Sequence, residues 1–239
     1  MVKFKRIKII NINMTKTIVF CLPGREFSGN FLQCWTHLYN WCINNDIKPI
    51  LSNRYTSNVY NVREMCLKFD NLGGKYQKPF GGLDYDYIMF IDSDMIYTPQ
   101  DFSRLLTVLE SDSSKDVVSG TYLMQGGVKY PVVLSEDPEY FSRTGQFKFL
   151  TKSDISENVK NNNTLLKVFY NGMGFMLMRW GVVERVEFPI FSALFYDYKD
   201  VKIQMSEDVS FCKKLQDIEI DVWVNLNVLL GHEKMHILR

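Results

Sequence analysis

Long apolar runs are missing from this 239-residue chain. No stretch approaches the ~18 consecutive apolar residues that would suggest a spanning helix, so no transmembrane segment is expected. A charge excess is missing too. The formal net charge is +1, which gives no reason to expect a nucleic-acid backbone or an anionic membrane as the main partner. Cysteine is sparse: Cys21, Cys34, Cys42, Cys66 and Cys212 are odd in number and include no Cys-x-x-Cys. Neither a disulfide framework nor a zinc ribbon follows from that pattern. Each thiol sits among apolar neighbours, as a small buried hydrophobe would, and a reducing, cytoplasmic compartment is the default expectation. The basic start, Met1-Val2-Lys3-Phe4-Lys5-Arg6-Ile7-Lys8, leads into a segment broken by Asn11 and Asn13. It makes a poor signal peptide and reads as a first strand with charged flanks. Phosphate loops and dinucleotide fingerprints are also absent, because Gly120, Gly126-Gly127 and Gly172-Met173-Gly174 match neither pattern.

What is present suits a globular α/β protein. Hydrophobic residues make up 46% and charged residues 23%, enough to bury a real core. Residues 17–22 read as a strand closed by Pro23-Gly24. Phe31, Leu32, Trp35, Leu38, Tyr39 and Cys42 then recur at helical spacing. A strand over 47–51 and a helix over 59–69, with Val62, Met65, Cys66 and Phe69 on one face, come next. Thr98-Pro99-Gln100-Asp101 carries a cap-then-proline helix start, and 117–122 reads as a strand. This alternation predicts a parallel sheet with helices on both faces. Beyond it, 128–134, 147–150, 165–170 and 175–178 read as strands or hairpins, and the polar stretch 146–164 as a mobile excursion. Ser206 can cap a helix through Leu215, and Ile220, Val222, Val224 and Leu226 alternate as a final strand. With no repeat and no linker, a single domain with a nucleotide half and an acceptor half is expected.

The chemistry concentrates at Tyr87-Ile88-Met89-Phe90-Ile91-Asp92-Ser93-Asp94, an apolar run ending in two carboxylates one residue apart. On extended backbone, residues i and i+2 point the same way, so Asp92 and Asp94 would project together from the strand's C-terminal end, where open α/β sheets bind ligands. Paired carboxylates repel unless a cation sits between them, and a divalent metal is the usual answer. A solvated strand end would look the same. An EF-hand is excluded, because Ile96 and Tyr97 stand where an oxygen ligand and the glycine belong. Glu207 and Asp208 open a helix. There they either complement its dipole or place a general base at a cleft. His232-Glu233-Lys234-Met235-His236 matches the zinc-protease helix motif, but only Ile237, Leu238 and Arg239 follow to supply a third ligand. His232 alone could instead ligate a metal held by Asp94. Gly172-x-Gly174 fits either a plain turn or backbone lying close to a bound sugar.

Taken in order, these pieces resemble a glycosyltransferase of the GT-A fold, close to the inverting family-2-like group, over about residues 18–232. Phe90-Ile91-Asp92-Ser93-Asp94-Met95 resembles the family's Asp-x-Asp, and Gly172-Met173-Gly174 its segment under the donor sugar. Ser206-Glu207-Asp208 resembles the Glu-Asp helix start and Leu230-Gly231-His232 the late metal-binding histidine. The resemblance implies one GT-A domain over 1–239, a Rossmann-like mixed sheet flanked by helices, with a nucleotide-binding half to about 125 and an acceptor and catalytic half from about 126. It implies that Asp94 and His232 bind Mn²⁺ or Mg²⁺, with Asp92 on the ribose or reaching the metal through water. Asp208, or in second place Glu207, would act as general base. Pro23, Gly24, Arg25, Arg63 and Ser93 would border the nucleotide, although Arg25 and Arg63 also fit plain surface cations. The implied partners are a nucleotide-sugar donor, most often a UDP-sugar, and a glycan, protein, lipid or small-molecule acceptor. The Gln-x-x-Arg-Trp motif of processive synthases is absent, which points to single-residue transfer. A metal-dependent hydrolase, either a phosphatase or a zinc peptidase, is the alternative.

Overall fold

A computed structural model describes residues 16–234. The strand expected in the basic N-terminal segment and His236 lie outside the described residues. In chain order the elements begin with β1 (Lys16–Pro23), α1 (Gly29–Asn44), β2 (Ile47–Arg54), α2 (Val59–Leu67), β3 (Tyr87–Ile91) and β4 (Met95–Ile96). They continue with α3 (Pro99–Ser111), β5 (Val117–Tyr122), β6 (Val132–Val133), α4 (Pro138–Thr144), α5 (Lys152–Lys160), β7 (Leu165–Val168) and β8 (Tyr170–Asn171). The last are β9 (Phe175–Arg179), β10 (Leu194–Tyr198), β11 (Val201–Met205), α6 (Glu207–Asp217) and β12 (Val222–His232).

The main sheet runs β2-β1-β3-β9-β5-β12-β4, with β7 paired to the start of β12. β1 is parallel to β2 and β3, β12 is parallel to β5, and β9 lies antiparallel between β3 and β5. This is the expected mixed sheet flanked by helices. Both faces are covered. Val19, Cys21, Ile88 and Phe90 face a core closed by α2 and α6, while Ile18, Phe20, Met89 and Ile91 face one closed by α1 and α3. The continuous burial of β3 follows from this layering, since a strand buried on both faces has no polar register.

Several expectations needed correction. The expected strand over 128–134 shrinks to Val132–Val133, and 147–150 forms none. The 146–164 stretch is not an irregular excursion: α5 folds within it behind a capping box, where Thr151 and Asp154 satisfy each other's backbone. The hairpin β10–β11 and the helix α4 were not expected at all. On α2, Val62 and Cys66 are buried but Met65 is exposed, and the helix expected to reach Phe69 ends at Leu67, with Lys68 in the left-handed region at φ 59°.

Candidate active site

β3 stops at Ile91, and the chain turns at once: the Met95 amide donates to the Asp92 carbonyl at 3.1 Å, and β4 begins. The i, i+2 alignment expected for Asp92 and Asp94 therefore does not hold, because that rule needs extended backbone. The two carboxylates part and find separate cations.

Asp92 meets Arg63, with Nη1–Oδ1 at 3.0 Å and Nη2 donating to Oδ2 at 3.2 Å. Arg63 is no surface cation. Its side chain is 5% exposed, and its Nε lies 3.7 Å from Glu207. Burial works against its charge, yet Asp92, Glu207 and Asp208 more than offset that and hold the guanidinium protonated. Burial and the neighbouring Asp208 charge push the Glu207 carboxyl up, partly countered by Arg63.

Asp94 meets β12. Antiparallel pairing sets His232 opposite Met95, and His232 Nε2 lies 3.1 Å from Asp94 Oδ2. The other ring nitrogen, Nδ1, is 2.7 Å from the Leu123 carbonyl. That carbonyl can only accept, so Nδ1 carries the proton and Nε2 faces the carboxylate. Lys234 Nζ also donates to Asp94 Oδ2. Burial alone would raise the Asp94 carboxyl, but His232 and Lys234 bring it down to about 2. Two acceptors facing each other at 3.1 Å need a proton or a metal ion, so the donor set of one imidazole and one carboxylate fits a divalent cation. The pair can supply only part of a coordination shell. Among the described residues no three of His, Cys, Asp and Glu converge on one point, and Asp92 is turned toward Arg63.

A cleft of about 270 Å³ at the C-terminal ends of β1, β2 and β3 gathers Pro23, Gly24, Arg63, Asp92, Ser93 and Asp94. Gly24 is required there, because a Cβ would come 2.7 Å from that of Ser93. Sequence reasoning missed Tyr55, Thr56 and Ser57, which form another wall; their only signal was position after a strand of the parallel half. Arg25 is 68% exposed, ion-pairs loosely with Glu26 and stacks 5.7 Å over Tyr55.

Gly172 and Gly174 have a packing reason. A Cβ on either would meet the Tyr122 side chain, at 2.5 Å from its hydroxyl and 2.6 Å from its ring. Met173 is buried in the core. The loop thus receives Tyr122, another residue not singled out in the sequence, whose ring also meets His232 edge-on at 4.8 Å.

Asp208 sits at the start of α6, where Ser206 does not cap the backbone but donates its hydroxyl to Asp208 Oδ1. The Val209 amide also donates to Oδ1 at 2.8 Å, and the Tyr170 phenol to Oδ2 at 2.8 Å. The first turn of α6 therefore presents the Asp208 carboxyl, held by three donors, beside the Arg63 cluster. Of the zinc-peptidase motif, His232 closes a strand and Glu233 and Lys234 are in no helix among the described residues.

No protein-family model matches the chain, and no curated protein matches it. Among solved structures it is similar to glucosyl-3-phosphoglycerate synthase from Mycobacterium tuberculosis in complex with Mn²⁺, UDP-glucose and phosphoglyceric acid. There the identity is 12%, over 95% of this chain and 75% of that one, with a TM-score of 0.45. It is also similar to Drosophila β-1,4-galactosyltransferase 7 in complex with manganese, UDP-Gal and xylobiose, at 14% identity over 92% and 71% and a TM-score of 0.46. CMP-2-keto-3-deoxy-manno-octonic acid synthetase with CTP matches at 10% identity over 92% of both chains, with a TM-score of 0.43. This likeness is distant and assigns no donor, metal or acceptor; the fold class rests on the chain's own strand order, a mixed α/β sheet flanked by helices.

Proposed function

We propose that the chain is a metal-dependent glycosyltransferase. It moves a sugar from a nucleoside-diphosphate sugar, a UDP-sugar first among them, to an acceptor hydroxyl with inversion at the anomeric carbon. The observation that carries this reading is the Asp94–His232 pair, whose Asp94 borders the same cleft as Asp92 and Arg63, the guanidinium that also feels the Asp208 carboxylate at the start of α6. Asp94 and His232 would hold Mn²⁺ or Mg²⁺, and the imidazole tilts the choice toward Mn²⁺. The ion supplies electrostatic stabilisation of the departing diphosphate.

The chain's own residues supply the rest. Pro23, Gly24, Ser93 and the 55–57 loop bound the nucleotide, and Asp92, braced by Arg63, offers an acceptor to ribose hydroxyls. Asp208 takes the proton of the acceptor hydroxyl. Glu207, turned toward Arg63, anchors the helix start instead. A thermal-shift panel of UDP, GDP, CDP and dTDP, each with and without Mn²⁺, tests the reading, since ligands that bind only the native state raise its melting temperature. A shift requiring both one nucleotide and the metal is expected, and it should vanish in Asp94→Ala. A shift with phosphate or Zn²⁺ alone would favour a hydrolase.

A further inference from the structure

Tyr170 is a core residue with an unusual demand. It is 6% exposed, and a phenylalanine would fill the same space. A hydroxyl carried into such a site costs free energy unless it is hydrogen-bonded. Its partner is Asp208 Oδ2, at 2.8 Å. Its ring lies 6.4 Å from both Phe147 and Phe149, in a chain of aromatic contacts that continues to Phe141. β8 is further fixed by pairing with β6, Val133 opposite Tyr170. The phenol is therefore aimed from a rigid wall. Burial first, and then the Asp208 charge, lift its pKa well above the ordinary tyrosine value, so it remains a donor.

Counting lone pairs on Asp208 gives the consequence. A carboxylate offers about four acceptor directions, two on each oxygen. Ser206 and the Val209 amide take both on Oδ1, and Tyr170 takes one on Oδ2. We propose that Tyr170 is a positioning residue for Asp208, fixing its carboxylate so that the remaining direction on Oδ2 is presented to the acceptor hydroxyl. The inference rests on the glycosyltransferase reading for what that hydroxyl does. The acceptor oxygen bonds to the anomeric carbon, its proton passes to Oδ2, and the carbon–oxygen bond to the diphosphate breaks with its electron pair leaving on the nucleotide. The aromatic wall of residues 141–149 thereby shares one scaffold with the base.

The test compares wild type, Tyr170→Phe and Ser206→Ala by ¹³C NMR titration of the aspartate carboxyls, the Asp208 signal being assigned by its loss in Asp208→Asn. UDP release from UDP-glucose with Mn²⁺ is measured in parallel. Removing a donor to the charged form raises a carboxyl pKa, so the Asp208 midpoint in Tyr170→Phe is expected to rise relative to wild type. kcat should fall about tenfold or more, the KM for UDP-glucose should hold, and the acid limb of the pH profile should move upward with the midpoint. Ser206→Ala, on an exposed side chain, should move the same midpoint without touching the core. An unchanged Asp208 midpoint in a folded Tyr170→Phe overturns the proposal, and so does a raised KM with unchanged kcat. If the midpoint moves while wild type binds none of UDP, GDP, CDP and dTDP with Mn²⁺, the positioning holds and the glycosyltransferase reading fails.

Discussion

Removing the Arg63 guanidinium would leave Asp92 and Glu207 facing each other across a buried gap with no cation between them. Breaking a buried ion pair by deleting one partner typically costs 3–5 kcal/mol, because the remaining charge is stranded. Arg63→Met is therefore expected to lower the unfolding free energy by about 3 kcal/mol or more at pH 7, read by urea denaturation. A loss below about 1 kcal/mol would mean the cluster is solvated. Gly172 makes a second prediction. The added methyl of Gly172→Ala meets the Tyr122 hydroxyl at 2.5 Å, and overpacking of this kind costs about 1–3 kcal/mol. The double variant Gly172→Ala/Tyr122→Phe removes that oxygen and should recover part of the loss in the same denaturation experiment. At this scale the sequence was partly readable. Asp-x-Asp, Glu-Asp and the late histidine stood out because their residue types are costly to bury. Tyr122 and Tyr170 did not, since an aromatic residue in an apolar strand looks like any other core side chain until its hydroxyl is seen to meet Gly172 or Asp208.

Among the elements, α5 shows how a local signal can be overlooked. Its stretch is polar and rich in Asn, Lys and Ser, with only Ile155 buried, so hydrophobic periodicity was silent. The Thr151-x-x-Asp154 box was nevertheless in plain view, and caps of this kind mark helix starts independently of burial. Deleting the box with Thr151→Ala should cost about 1 kcal/mol. Asp154→Ala should show a pH signature as well. Hydrogen bonds from Thr151 hold the Asp154 carboxyl below its ordinary 3.8. Its contribution is then complete above pH 3.8 and fades as pH falls through the lower folded value. The stability gap between wild type and Asp154→Ala, measured by urea melts from pH 7 downward, should stay level to about pH 4 and close in stronger acid. The parallel strands were legible for the opposite reason: buried on both faces, they read as continuous apolar runs. The β10–β11 hairpin was not legible, because it pairs only with itself and its aromatic residues suggested no register against the sheet.

For the molecule as a whole, the sheet separates two cores, and the chain crosses between them repeatedly. β9 and β12, from the second half of the sequence, complete the sheet begun by the first. That mixing places Asp94, on the loop after β3, against His232 at the end of β12, 138 residues apart. No local spacing joins them, and the expectation that they share a metal comes from the order of motifs along the chain and the family resemblance. The same layering distributes the five thiols. Cys21, Cys66 and Cys212 lie in the core under α2 and α6, Cys42 lies in the one under α1 and α3, and Cys34 alone is half-buried. Burial pushes Cys42 and Cys212 up to about 12 and Cys66 up to about 11, so they are shielded and un-ionised together. The native protein therefore carries its own clock for opening. With excess Ellman's reagent, one thiol of the five should colour within the mixing time and four should follow only as fast as each face lifts from the sheet. If the proposed nucleotide binds in the cleft at the ends of β1, β2 and β3, it should slow those four and leave Cys34 alone, which would make unmodified cysteine chemistry an assay of that binding.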